Sequence, residues 1–151
     1  MMITREDWKQ LCLDKIKIVK RLLEHEEWTV AGEYMGYALE CALKAATCKT
    51  LNNACYPPIK TSPIDGSQSG VGMKPAHEFD VLFVYSGLSD IFNDSFAWQQ
   101  LSSYYAGAWN ERRYDKNVAT VYDESSVKEI AKLLYDTQDS VIQTLQRNNR
   151  W

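Results

Sequence analysis

The chain has 151 residues, 45% of them hydrophobic and 25% charged, which excludes a disordered, collagen-like or low-complexity polypeptide and fits one domain whose core buries roughly two-thirds of the unfolded surface. A formal net charge of −3 excludes nucleic-acid affinity driven by bulk charge and leaves function to a local site. No apolar run reaches the roughly 18–20 residues of a membrane span, and the charged, amphipathic start MMITREDWKQLC is unlike a signal peptide, so the expectation is a cytoplasmic protein without a membrane partner.

From Thr4 to Glu24 the apolar residues Trp8, Leu11, Cys12, Ile16, Val19, Leu22 and Leu23 fall on one helical stripe, and Thr4 with Asp7 three positions on predicts the N-cap. After the polar break His25-Glu26-Glu27, a second helical stripe runs through Trp28, Ala31, Met35, Ala38, Leu39, Ala42, Leu43 and Ala46. Gly32 and Gly36 lie one turn apart on it, each costing about 1 kcal/mol against Ala, so a neighbouring backbone is expected to approach there. These two helices should form an antiparallel hairpin.

Residues 56–75 hold all four prolines and three of the seven glycines without any period, which predicts a long loop. The run Phe79–Tyr85 (FDVLFVY) has strand propensity, but no second strand candidate offers it a partner, so a buried helix from His77 to Gly87 is expected. Asp94 or Ser95 should cap the next helix, which carries Ala97, Leu101, Tyr104, Tyr105 and Ala108 and ends near Trp109, before the charged turn Asn110–Asp115. The last helix is read from the capping box Ser126-x-x-Glu129 through Val127, Ile130, Leu133, Leu134, Val141, Ile142 and Leu145. Short connections between such helices predict an all-α fold, an antiparallel bundle of four to five helices in one domain spanning 1–151.

The chemical inventory is short. His25 and His77 belong to no metal-ligand spacing, and no P-loop, GxGxxG or GxSxG motif occurs, so no metal or cofactor is expected. Cys12, Cys41, Cys48 and Cys55 form no CxxC pair and read as reduced, buried thiols. Arg112, Arg113 and Lys116 make a compact basic group that, with Tyr114, could hold a phosphate or stack a base; the alternative is a solvated turn bridged to neighbouring acids. Glu40 and Lys44, taken alone, are an i,i+4 helix pair, and His77 would cap its helix or bond a nearby backbone group.

The order of these pieces resembles the HEPN family (higher eukaryotes and prokaryotes nucleotide-binding domain). The resemblance rests on Gly32-Glu33-Tyr34-Met35-Gly36-Tyr37-Ala38-Leu39-Glu40-Cys41-Ala42-Leu43-Lys44-Ala45, then His77-Glu78-Phe79, then Arg113-Tyr114-Asp115 before a final helix. Cys41 stands where a lysine is usual, Glu78-Phe79 where Asp-Leu follows the histidine, and Asp115 where a proline is common. Ribonuclease members carry R-x4-6-H across a dimer interface; here Arg112-x4 leads to Asn117, which cannot take a proton, and no histidine follows His77. The resemblance therefore implies a HEPN-like, homodimeric helical domain of the non-nucleolytic branch, binding a nucleotide or another phosphorylated ligand without catalysis of its own. It would use Arg113 and Arg112 for phosphate, Lys44 as a second cation, Tyr114 for stacking, and Glu40 and His77 as orienting partners, with Asp115 among the ligand-binding residues. The alternative is a protein-interaction module, a toxin–antitoxin-like or defence-type partner subunit, for example of a nucleotidyltransferase; an atypical HEPN ribonuclease is a third.

Overall fold

The computed structural model describes residues 2–70 and 77–151, and over them the protein is mostly helical. Helix α1 (Arg5–Glu24) opens as the sequence predicts: Thr4 Oγ1 accepts from the Asp7 backbone N–H, and the Asp7 carboxylate accepts from the Thr4 N–H at 2.9 Å. This reciprocal capping satisfies two donors that a helix start leaves open. Helix α2 (Trp28–Thr50) follows after a short turn and runs one turn beyond its apolar stripe. Strand β1 (Ile3–Thr4) pairs antiparallel with β2 (Cys55–Tyr56), which ties the start of α1 to the segment leaving α2 and fixes the two helices as an antiparallel hairpin.

α2 is the central element, buried on nearly every side, with Met35, Ala38, Leu39, Ala42, Leu43, Ala45 and Ala46 fully enclosed. Each enclosed leucine contributes on the order of 1.5–3 kcal/mol, and the small alanines let the surrounding helices approach. Gly32 and Gly36 are closely approached, as expected, but by aromatic side chains: Tyr122 fills the space at Gly32, while Trp109 and Tyr105 fill it at Gly36. A backbone neighbour was the expectation; rings take its place because Tyr105, Trp109 and Tyr122 form one buried cluster against this face, with the Tyr105 hydroxyl donating to the Gly32 carbonyl.

The proline- and glycine-rich stretch departs from a plain loop. Strand β3 (Ile59–Thr61) pairs antiparallel with β4 (Gln68–Gly70) through a turn in which Asp65 Oδ1 accepts from the Ser67 N–H at 2.9 Å and Gly66 adopts φ +71°. Three-residue strands are too short to show a sequence period, which is why the pairing was invisible. The remainder of that stretch, 71–75, lies outside the described residues.

The FDVLFVY run is helical as expected: α3 (Phe79–Ser86) ends at Gly87 with φ +64°, and Phe79 and Leu82 are buried. A short α4 (Ser89–Phe92) precedes α5 (Phe96–Tyr104), which Ser95 caps by accepting from the Trp98 N–H. α5 stops at Tyr104, short of the predicted Trp109. The Arg112 guanidinium bonds the Tyr104 and Ala106 carbonyls, and Gly107 turns the chain at φ +67°. The charged turn is a 3-10 helix, Trp109–Tyr114, followed by a short α6 (Val118–Val121).

The last predicted helix is two. α7 (Glu124–Ala131) is capped by Asp123, whose carboxylate accepts from the Ser126 N–H at 2.8 Å, so Ser126 is not the cap and the helix starts two residues before it. A π-type turn at Lys132–Asp136 then ends at an extended Thr137, whose hydroxyl donates to the Lys132 carbonyl, before α8 (Val141–Arg147). The apolar spacing runs across this break because both halves bury their apolar residues. No described helix is long and apolar enough to cross a membrane.

Candidate functional site

Two charged side chains stand in the otherwise apolar interior of α2. Glu40 is 5% and Lys44 8% exposed, one turn apart, with Lys44 Nζ 3.3 Å from Glu40 Oε1. The ammonium is enclosed further by two rings, 4.7 Å from the Trp8 centroid and 5.3 Å from that of Tyr56. α1 brings Trp8 there and the β1–β2 pairing brings Tyr56, the two rings meeting edge to face at 6.4 Å. A charge buried this deeply requires such partners, because desolvation otherwise costs several kcal/mol.

His77 completes the group. Its Nδ1 bonds the same Glu40 Oε1, while the side chain remains 53% exposed. The main chain at His77 is held independently, since Trp109 Nε1 donates to its carbonyl at 2.6 Å. Phe79 stacks on Trp109 at 4.9 Å and 11°, so the start of α3 is fixed against the aromatic cluster. The buried carboxylate thus has a half-exposed imidazole as one of its partners.

One turn N-terminal to Glu40, Tyr37 carries a second concentration of charge. Its ring packs edge-on against Trp109 at 5.0 Å, and its hydroxyl accepts from Arg113 Nη1 at 2.9 Å. Lys15, from α1, lies 5.7 Å over the Tyr37 ring and 5.5 Å over that of Tyr34. Burial pushes the Tyr37 phenol up despite the opposing pull of Arg113, so it is a neutral hydroxyl here. The phenol and Tyr114 beside Arg113 favour the charged guanidinium, and Glu33 lies near enough to act on both Arg113 and Tyr37.

The sequence-derived residues therefore divide into three groups. Glu40, Lys44 and His77 come together. Arg113 reaches Tyr37 on the same α2 face, with its guanidinium 4.9 Å over the Tyr114 ring, and Tyr114 is 79% exposed. Arg112 serves the fold: besides the two carbonyls closing α5 it donates to the Tyr122 hydroxyl at 3.3 Å and lies over that ring. Asp115 is exposed and accepts from the Asn117 backbone N–H, shaping the turn. Lys44 is committed to Glu40 and two rings, and the cation that shares Tyr37 with Arg113 is Lys15.

Tyr37, Lys15 and Trp109 were not singled out as site residues from the sequence. Tyr37 was findable, since positions 37, 40 and 44 share one helix face. Trp109 and Lys15 carry no local signal, because their roles depend on how other elements pack on α2. The four cysteines are buried thiols outside disulfides, and burial pushes Cys41 and Cys48 up to about 11, which makes them poor nucleophiles. Among the described residues no group of three or more His, Cys, Asp or Glu is arranged to hold a metal ion. No family model, no curated protein and no solved structure matches the chain.

Proposed function

We propose that the chain is a HEPN-like helical domain that binds a nucleotide or another phosphorylated ligand on the α2 face carrying Tyr37 and Glu40, against which His77 is bonded. The observation that carries this reading is the convergence of Arg113 and Lys15 on the half-buried ring of Tyr37. The guanidinium offers planar paired donors and the ammonium a point charge, a combination suited to phosphate oxygens. Glu40 is paired internally with Lys44, and Glu33 is an acid near Arg113. The exposed Tyr114 ring beside Arg113 offers a stacking surface for a base.

The test is thermal shift and titration calorimetry with ribonucleoside monophosphates at two salt concentrations. A ligand that prefers the folded state raises the melting temperature, and an electrostatic site weakens with salt. Absence of any shift together with no measurable heat rejects the reading.

The homodimer that the resemblance implies rests on a different place. Between α3 and α5 a groove of about 470 Å³ is lined by Phe79, Phe83, Val84, Trp98 and Tyr105, and Val84 is 75% exposed. A second copy of the chain is the occupant that the family resemblance implies. Val84→Glu should then turn a dimer into a monomer in light scattering, and a monomeric parent chain rejects this reading.

A further inference from the structure

The buried carboxylate fixes more than the position of His77. Glu40 and Lys44 already form a neutral pair in the interior, so the imidazole completes the group without a further charge when it is itself neutral. A carboxylate only accepts hydrogen bonds, so the neutral ring must carry its proton on Nδ1, the atom that meets Glu40 Oε1. Nε2, on the other edge of a half-exposed ring, is then left with a lone pair and no proton. The Trp109 bond to the His77 carbonyl and the stacking of Phe79 on Trp109 hold this ring from the backbone side, so the tautomer and its direction are both set.

Trp109, which bonds the His77 carbonyl, also packs against Tyr37, and that ring carries the two cations. Arg113 and Lys15 have only N–H groups to offer, and a phosphate supplies only acceptors to meet them. An acceptor in such a place is satisfied by a donor on the ligand. Resting on the phosphorylated-ligand reading, we propose that His77 Nε2 accepts a hydrogen bond from a ligand hydroxyl. The site accordingly takes phosphorylated alcohols, namely sugar phosphates and nucleotides with free ribose hydroxyls, in preference to phosphorylated ligands without one. Glu40 is the positioning residue for this recognition, and His77 is its specificity determinant.

Two measurements test this. Nitrogen-15 spectra of the imidazole rings at pH 8 should show His77 protonated at Nδ1 and bare at Nε2, whereas His25, exposed at the end of α1, averages its tautomers. A ring protonated at Nε2 overturns the inference without reference to any ligand. The four ribonucleoside 5′-monophosphates and their 2′,3′-dideoxy counterparts are then titrated against the full chain. The ribo forms should bind about tenfold more tightly, the scale of one hydrogen bond at a half-exposed site. His77→Phe should erase this preference, bringing the ribo forms to the affinity of their dideoxy counterparts. Equal affinities in the parent chain overturn the hydroxyl inference and leave the anion site standing. Failure of both series to bind overturns both.

Discussion

Trp109 occupies the space that a side chain at Gly36 would need: a Cβ built on Gly36 would overlap the indole ring carbons and crowd Tyr105 Cε1 at 2.9 Å. Glycine in the middle of α2 is therefore a packing requirement. Replacing it with alanine gains about 1 kcal/mol of helix propensity and forces an overpacked core costing roughly 1–3 kcal/mol. The indole cannot retreat cheaply, because it is stacked on Phe79 and bonded to the His77 carbonyl. Gly36→Ala should lower the urea midpoint, and a stabilised variant would show that the cluster is more compliant than its contacts imply.

The adjacent arginines should separate in function. Arg112 closes the C-terminal end of α5 through two carbonyls and the Tyr122 hydroxyl, so Arg112→Ala leaves polar groups unpaired and should cost about 1–3 kcal/mol of stability. Arg113 has its guanidinium at the surface, against the Tyr37 hydroxyl and the exposed Tyr114 side chain. Arg113→Ala should leave the melting temperature within a degree or two and cost roughly 1.5–3 kcal/mol of phosphate-ligand affinity. Paired thermal melts and titrations decide it; the reverse assignment would show that Arg113 holds the turn.

Much of this arrangement could be read from residue spacing, and what escaped did so for physical reasons. α1, its Thr4–Asp7 cap, α2 and the helical state of FDVLFVY follow from periods of 3.6 and from the lack of a strand partner. The end of α5 did not, because a distant arginine and a positive-φ glycine override a continuing apolar pattern. The split between α7 and α8 escaped for a similar reason: Leu133, Leu134, Val141 and Ile142 are all buried, so the stripe persists across a break. At the site, Glu40 and Lys44 have the spacing of an ordinary surface pair, and only tertiary packing of Trp8 and Tyr56 over them makes the pair buried.

Acid should weaken the fold through carboxylates that are hydrogen-bonded in the native state. Asp7 is held below its ordinary value by the Thr4 side chain and backbone, Asp123 by Ser126, and Asp90 by Arg150, whose guanidinium meets it at 2.6 and 3.1 Å. A depressed native value means the unfolded chain takes up protons first as pH falls. The contribution is present above the unfolded value near 3.8 and is lost as pH drops through the lower native values. Urea midpoints should be nearly level from pH 7 to 5 and fall below about pH 4. Asp7→Ala should lower the midpoint at pH 6 and flatten the acid slope. An unchanged slope would assign acid sensitivity elsewhere.

The Glu40–Lys44 pair makes the sharpest energetic forecast, because burial reverses what spacing alone would suggest. A solvated i,i+4 pair contributes about 0.3–0.5 kcal/mol, and removing either member would scarcely register. Here Lys44→Met leaves a carboxylate in an apolar interior with only His77 beside it, and Glu40→Leu strands an ammonium between Trp8 and Tyr56. Each single change should cost on the order of 3–5 kcal/mol, the range for an uncompensated buried charge. Changing both removes the stranded charge as well as the attraction, so the double variant should be more stable than either single one. A double-mutant cycle by urea unfolding measures this coupling. The double variant should fold and still lose the ribose preference, since His77 no longer has the carboxylate that sets its tautomer. Additive losses below 1 kcal/mol would show that water reaches the pair, and retained preference would show that Glu40 does not orient the ring.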